Sequence, residues 1–128
     1  MKQVAAAIAI REQRVLVTRR GVGESLEGFW EFPGGKLEEG ESPQDCIVRE
    51  LLEELGVQSE AGEIVAESVY EYPGGVINLI GIRVTLSADD IQLTVHDAYD
   101  WVSLSGLLNL KLAPADVPIA EELARRYG

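Results

Sequence analysis

Apolar residues fall into short blocks whose period changes twice along the chain. Val4 to Ile10 and Arg14 to Thr18 are β-rich blocks split by Arg11-Glu12-Gln13, the pattern of a hairpin. Arg19 to Gly28 is polar and Gly-punctuated, hence a loop, and Phe29 to Phe32 is a short apolar stretch ending in a turn at Pro33-Gly34-Gly35. The period then becomes helical. Ser42 is a good N-cap, Pro43 suits the first helical position, and Asp45 nearly completes a capping box. Gly56 closes that helix as a left-handed residue. Glu63 to Tyr70 and Val76 to Leu86 flank Pro73-Gly74-Gly75 as a second hairpin, followed by a short strand at Tyr99 to Val102 and a helical turn at Leu104 to Leu108. A last helix runs from Asp116 to Tyr127, with Ile119, Leu123 and Tyr127 stacked at i, i+4 and i+8. Two helices with several strands in a mixed order, and no repeat or linker, predict one domain over residues 1–128, an α+β fold or an α/β/α sandwich.

Composition narrows the function. At 46% hydrophobic and 26% charged the chain is an ordinary globular sequence. No apolar run reaches the ~18 residues of a membrane span. The N-terminal stretch runs straight into charged, strand-like sequence, so it reads as a strand and not a signal peptide. The single Cys46 fits a reducing compartment, and a cytoplasmic protein is expected. Eleven Lys and Arg against 22 Asp and Glu give a net charge of −11, which disfavours a nucleic-acid polymer as partner. The surplus is uneven: Glu38 to Glu54 holds seven acids and one base, Arg49.

Glu50, Glu53 and Glu54 stand at i, i+3 and i+4, so they share an arc of roughly 100° on the first helix. Its apolar stripe, Ile47, Val48, Leu51, Leu52 and Leu55, lies beside this cluster. Two carboxylates ~6 Å apart repel by about 0.7 kcal/mol in water and by roughly 3 kcal/mol at an effective dielectric of ~20. By angular count Arg49 points to another side and relieves none of this. A hard divalent cation would relieve it. Spacing alone fits a solvated helix face as well as a cation site.

From Gly35 the chain reads GKLEEGESPQDCIVRELLEELGV. This resembles the Nudix box, matching at Gly35, Glu41, Arg49, Glu50, Leu51, Glu53, Glu54, Gly56 and Val57 without departure. The stretches VLVTRR, WEFPGGKLEEGE and DWVSL are similar to MutT-type Nudix hydrolases, and LAPADVPI to the branch of CTP and oxidised-nucleotide pyrophosphohydrolases.

The resemblance implies a Nudix α/β/α sandwich with a mixed sheet, whose box forms a loop–helix–loop. It implies Mg²⁺- or Mn²⁺-dependent hydrolysis of a nucleoside triphosphate to the monophosphate and pyrophosphate. The metal ligands would be Glu50, Glu53, Glu54 and the carbonyl of Gly34, with one of the carboxylates also taking a proton from the water. Arg49 would organise a box Glu, Glu41 would close the loop, and Arg20 resembles a phosphate-binding Arg, though an exposed loop Arg is its plain alternative. One departure stands out. MutT-type enzymes usually carry an acid before the Trp matching Trp101; Val95 occupies that position, with His96 and Asp97 next. Asp97 is ranked ahead as a metal ligand or base, and His96 as a base near neutral pH. Asp116 matches the site facing the base edge, yet it also stands where the last helix needs a cap. Phe29, Trp30 and Tyr72 are candidates for stacking on the base. A hydrolase of nucleoside diphosphate derivatives such as ADP-ribose and a non-catalytic nucleotide-binding module are the competing readings. A small-molecule nucleotide partner and a monomer or homodimer complete the expectation.

Overall fold

The computed structural model describes residues 1–128. Strand β1 (Lys2–Arg11) organises it, because three neighbours pair with it at different points along its length. Strand β6 (Gly75–Leu86) runs parallel to it from Lys2↔Ile77 to Ala9↔Val84. Strand β4 (Gly34–Lys36) lies antiparallel on its other side through Ala6↔Gly34. Its far end turns into β2 (Arg14–Arg20) through Arg11↔Arg14. Strand β5 (Ser59–Tyr72) pairs antiparallel with β6, while β3 (Trp30–Glu31) and β7 (His96–Ser103) both pair with β2. The result is a mixed, seven-stranded sheet. Helix α1 (Pro43–Leu55) packs on one face and α2 (Val117–Tyr127) on the other, an α/β/α sandwich.

Alternation along β1 builds both cores. Ala5, Ala7 and Ala9 face α1, where Ile47, Leu51 and Leu55 are fully buried. Small residues on the strand let the helix approach closely, and each buried Leu or Ile contributes about 1.5–3 kcal/mol. Ala6 and Ile8 face the other way, onto Ile119 and Leu123 of α2. The apolar stripe of α1 is narrower than expected: Cys46 joins it, whereas Leu52 is 51% exposed.

The caps of α1 sit where the pattern put them. Ser42 Oγ accepts from Asp45 N–H at 3.0 Å, and Gly56 takes φ 64° while its N–H donates to Leu52 O. Pro33-Gly34-Gly35 is a correction. Gly34 and Gly35 are strand residues, and Gly34 is glycine because β1 lies over it; a Cβ there would sit 1.9 Å from Ala5 O. Close approach rather than turning is the reason for that residue. Strand β7 starts three residues earlier than expected, and β5 four, because pairing to β2 and β6 extends both past their apolar cores. No helix is long and apolar enough to cross a membrane.

Candidate active site

The last two turns of α1 carry Glu50, Glu53 and Glu54 to one end of the sheet. Glu50 and Glu54 are 14% and 15% exposed, Glu53 59%. The Glu50 carboxylate packs over Gly35, where a Cβ would meet it at 2.4 Å. Arg49 does not face away. Its flexible side chain curls back, so that Nε and Nη2 donate to the two oxygens of Glu41, each at 2.9 Å. Nη1 donates to Glu50 Oε1 at 2.9 Å and reaches Glu53 Oε2 at 3.4 Å. The angular count failed because it located the Cβ and not the guanidinium. The Arg49 bonds hold the Glu41 carboxyl down to about 2, and Glu41 Oε1 also accepts from Glu38 N–H, which closes the box loop.

Beside these acids lies a cleft of about 220 Å³, lined by Arg20, Glu31, Gly34, Glu54, Val95 and His96 among others. Arg20 Nη1 donates to Glu31 Oε1 at 2.8 Å, and His96 Nε2 lies 3.0 Å from Glu31 Oε2. The other ring nitrogen, Nδ1, is 3.6 Å from Glu54 Oε2. Burial, reinforced by Glu50, pushes the Glu54 carboxyl up to about 9. His96, rather than Asp97, is the residue set against Glu31 and Glu54. Arg19 pairs with Ala98 but Arg20 with His96, so Asp97 is the extra residue of a β-bulge. Its Oδ1 accepts from Arg19 Nε at 2.7 Å. Val95 is 49% exposed.

Arg20, Glu31 and Gly34 also line a second compartment of about 180 Å³, walled by Val4, Phe32, Leu79 and Asp116. Asp116 is 5% exposed and makes no side-chain cap bond to α2. Its Oδ2 instead accepts from Phe32 N–H at 2.9 Å, and burial pushes its carboxyl up to about 8. The expected helix cap is thus absent: the backbone enters α2 through a 3-10 turn at Pro114–Asp116, which turns the side chain inward. The expected stacking residues line neither compartment. Tyr72 packs on Gly74 and Gly75 at the β5–β6 turn, Lys111 covers Phe29 at 4.3 Å, and Arg19 covers Trp30 at 5.6 Å. Glu31 is the residue that pattern reading missed; a two-residue strand shows no alternation to reveal it. A larger depression of about 660 Å³ lies at the Arg11–Arg14 end of the first hairpin, remote from all of these acids.

The donors suit a hard divalent cation: three carboxylates on one helix face, two of them shielded from water, beside the Gly34 backbone. They do not converge on one point as they stand, because Glu50 and Glu53 turn toward Arg49. A cation would draw Glu53 away from its long Arg49 contact and replace the proton that burial keeps on Glu54.

An acid-bearing loop–helix–loop set in an α/β/α sandwich defines a Nudix hydrolase. The NUDIX domain family model matches residues 1–123, and the chain belongs to that family, in its MutT-type branch. It is 40% identical over 121 residues to a CTP pyrophosphohydrolase of Escherichia coli, spanning 94% of this chain and 90% of that protein. It is 31% identical over 128 residues to an 8-oxo-dGTP diphosphatase of the same organism, spanning 98% and 99%. A MutT protein from Methanosarcina mazei superposes with a TM-score of 0.86 at 27% identity, covering 97% of this chain and 93% of that one. Members of the family generally use divalent metal ions.

Proposed function

We propose that the chain hydrolyses nucleoside triphosphates to the monophosphate and pyrophosphate, with Mg²⁺ or Mn²⁺, and that cytosine or oxidised-guanine triphosphates are its substrate class. The observation that carries this reading is the sharing of Arg20, Glu31 and Gly34 between two compartments, one against the acidic helix and one against Asp116. A triphosphate needs such a pair, a charged end for the phosphates and a narrower, partly apolar end for the base.

Glu50, Glu53, Glu54 and the Gly34 carbonyl would hold the metal, which supplies charge neutralisation on the phosphates and activation of water. Arg49 would anchor the box through Glu41 and orient Glu50. Arg20 would exchange its Glu31 bond for a phosphate oxygen. Asp116, kept protonated by burial, both donates and accepts. That pair of roles complements the N3 and amino group of cytosine, or the O6 and N7–H edge of an oxidised guanine. The CTP pyrophosphohydrolase and 8-oxo-dGTP diphosphatase among the relatives support the same two bases.

A panel of CTP, 5-methyl-dCTP, 8-oxo-dGTP, dGTP and ADP-ribose, assayed with Mg²⁺ and resolved by chromatography, tests the reading. The highest kcat/KM is expected among the first three. A preference for ADP-ribose would move the substrate class to diphosphate derivatives, and no turnover of any compound would leave a binding module.

A further inference from the structure

We propose that His96 is a positioning residue that ties the metal-binding carboxylates to the substrate-facing wall by touching Glu54 with one ring nitrogen and Glu31 with the other. The inference rests on the pyrophosphohydrolase reading and adds to it a link between the two halves of the cleft.

The imidazole is 4% exposed, with Nε2 3.0 Å from Glu31 Oε2 and Nδ1 3.6 Å from Glu54 Oε2. Nδ1 has no hydrogen-bond partner of its own. A histidine buried only for packing has its polar atoms satisfied, since an unpaired buried nitrogen is costly. Here the unpaired atom points at an acid of the metal-binding set. Glu31 in turn receives Arg20, so His96 stands between a metal-facing carboxylate and the Arg20–Glu31 pair.

Two backbone devices hold the ring there. The C-terminal carbonyls of α1 have no partners within the helix. Thr94 supplies them: its N–H donates to Glu54 O at 3.2 Å and its Oγ1 to the same oxygen at 3.1 Å. Gln92 N–H donates to Leu55 O at 2.9 Å. The segment before β7 is thus fastened to the residue whose side chain His96 approaches. The bulge at Asp97 then sets the register in which His96 opposite Arg20 faces the cleft. The preceding residue, Val95, has no polar side-chain atom, so His96 is the side chain of this segment that reaches the carboxylates.

The two contacts can be removed separately. The Asn side chain places a polar atom near the position of Nδ1, and Gln near that of Nε2. His96→Asn should keep Mn²⁺ affinity within about threefold of the parent while raising KM for CTP about tenfold. His96→Gln should do the reverse, weakening Mn²⁺ binding by about tenfold, the scale of lost ligand support, with KM little changed. His96→Phe should lose both. Mn²⁺ binding is read by electron paramagnetic resonance of the free ion without nucleotide, KM at saturating Mn²⁺, and folding by melting temperature. Opposite responses of the Asn and Gln variants support the link. Equal changes in both properties in both variants, or none, overturn it; if the Phe variant does not fold, the Asn and Gln pair still decides. Should the parent hydrolyse no triphosphate, the pyrophosphohydrolase reading fails on that result, and Mn²⁺ binding still tests the Glu54 contact.

Discussion

Replacing Asp116 by Asn tests the neutral carboxyl at the base end of the cleft. The group is 5% exposed, and burial outweighs the Phe32 N–H bond in pushing its carboxyl from 3.8 up to about 8. The native state therefore holds this proton more tightly than the unfolded chain. Between about pH 4 and pH 8 unfolding releases it, so Asp116 lowers stability progressively as the pH rises through that window. At 1.36 kcal/mol per pH unit the interval from 3.8 to about 8 corresponds to roughly 6 kcal/mol. That is a large share of the 5–15 kcal/mol total stability typical of a domain. Relaxation of the protein around the ionised group relieves part of it, so a loss of about 2–3 kcal/mol is expected by pH 8.5. Asn keeps the shape and an oxygen for Phe32 N–H but carries no charge at any pH. Melting curves of the parent and Asp116→Asn should nearly coincide at pH 4 and diverge upward, the variant melting about 8–12 °C higher at pH 8.5. Its amide would also offer the base a changed set of donors and acceptors. The ratio of kcat/KM for CTP over 8-oxo-dGTP should therefore shift tenfold or more, about 1.4 kcal/mol. A melting difference independent of pH would refute the buried, protonated state, and uniform slowing of every substrate would refute a role in base selection.

Glu53→Gln should remove most turnover while leaving the metal-free melting temperature within about 2 °C, because the side chain is exposed and touches only Arg49 at the edge of bonding distance; near-normal turnover would remove Glu53 from the ligand set. Metal binding should displace the proton held by Glu54, so Mn²⁺ affinity should rise up to about tenfold per pH unit from pH 6 toward pH 9. Titration calorimetry in buffers of different ionisation enthalpy should register the released proton, and a pH-independent affinity would contradict the assignment. At the far hairpin, Glu12 and Gln13 both have positive φ, 49° and 63°, conformations that Asn-Gly adopts more readily. Glu12→Asn with Gln13→Gly should raise stability by about 1 kcal/mol without changing kcat, as measured by urea unfolding and turnover; destabilisation would show that those side chains hold the turn.

The parts of this molecule visible in the sequence are those set by local rules. Helix α1 is bracketed by Ser42 and Gly56, its three acids follow from helical spacing, and the first hairpin turns where β-rich blocks are interrupted. What was hidden depends on register and on long-range contact. His96 and Asp97 are adjacent, and a bulge decides which one faces the acids; a one-residue slip in a strand exchanges its faces. Glu31 belongs to the site through partners 11 and 65 residues away, Arg20 and His96. Asp116 has the composition of a cap, but its side chain turns to Phe32, 84 residues distant. Gly34 and Gly35 look like a turn because glycine marks turns and close approaches alike; Ala5 and Glu50, the groups that require them, come from other elements.

The most direct test of the proposed chemistry is product identification. Purified protein is incubated with Mg²⁺ and either CTP or 8-oxo-dGTP, and the products are separated by ion-exchange chromatography with and without a chelator. Monophosphate and pyrophosphate in equal amounts, formed only while metal is available, are the expected result. Nucleoside diphosphate with orthophosphate, or hydrolysis undiminished by the chelator, would contradict a metal-dependent pyrophosphohydrolase.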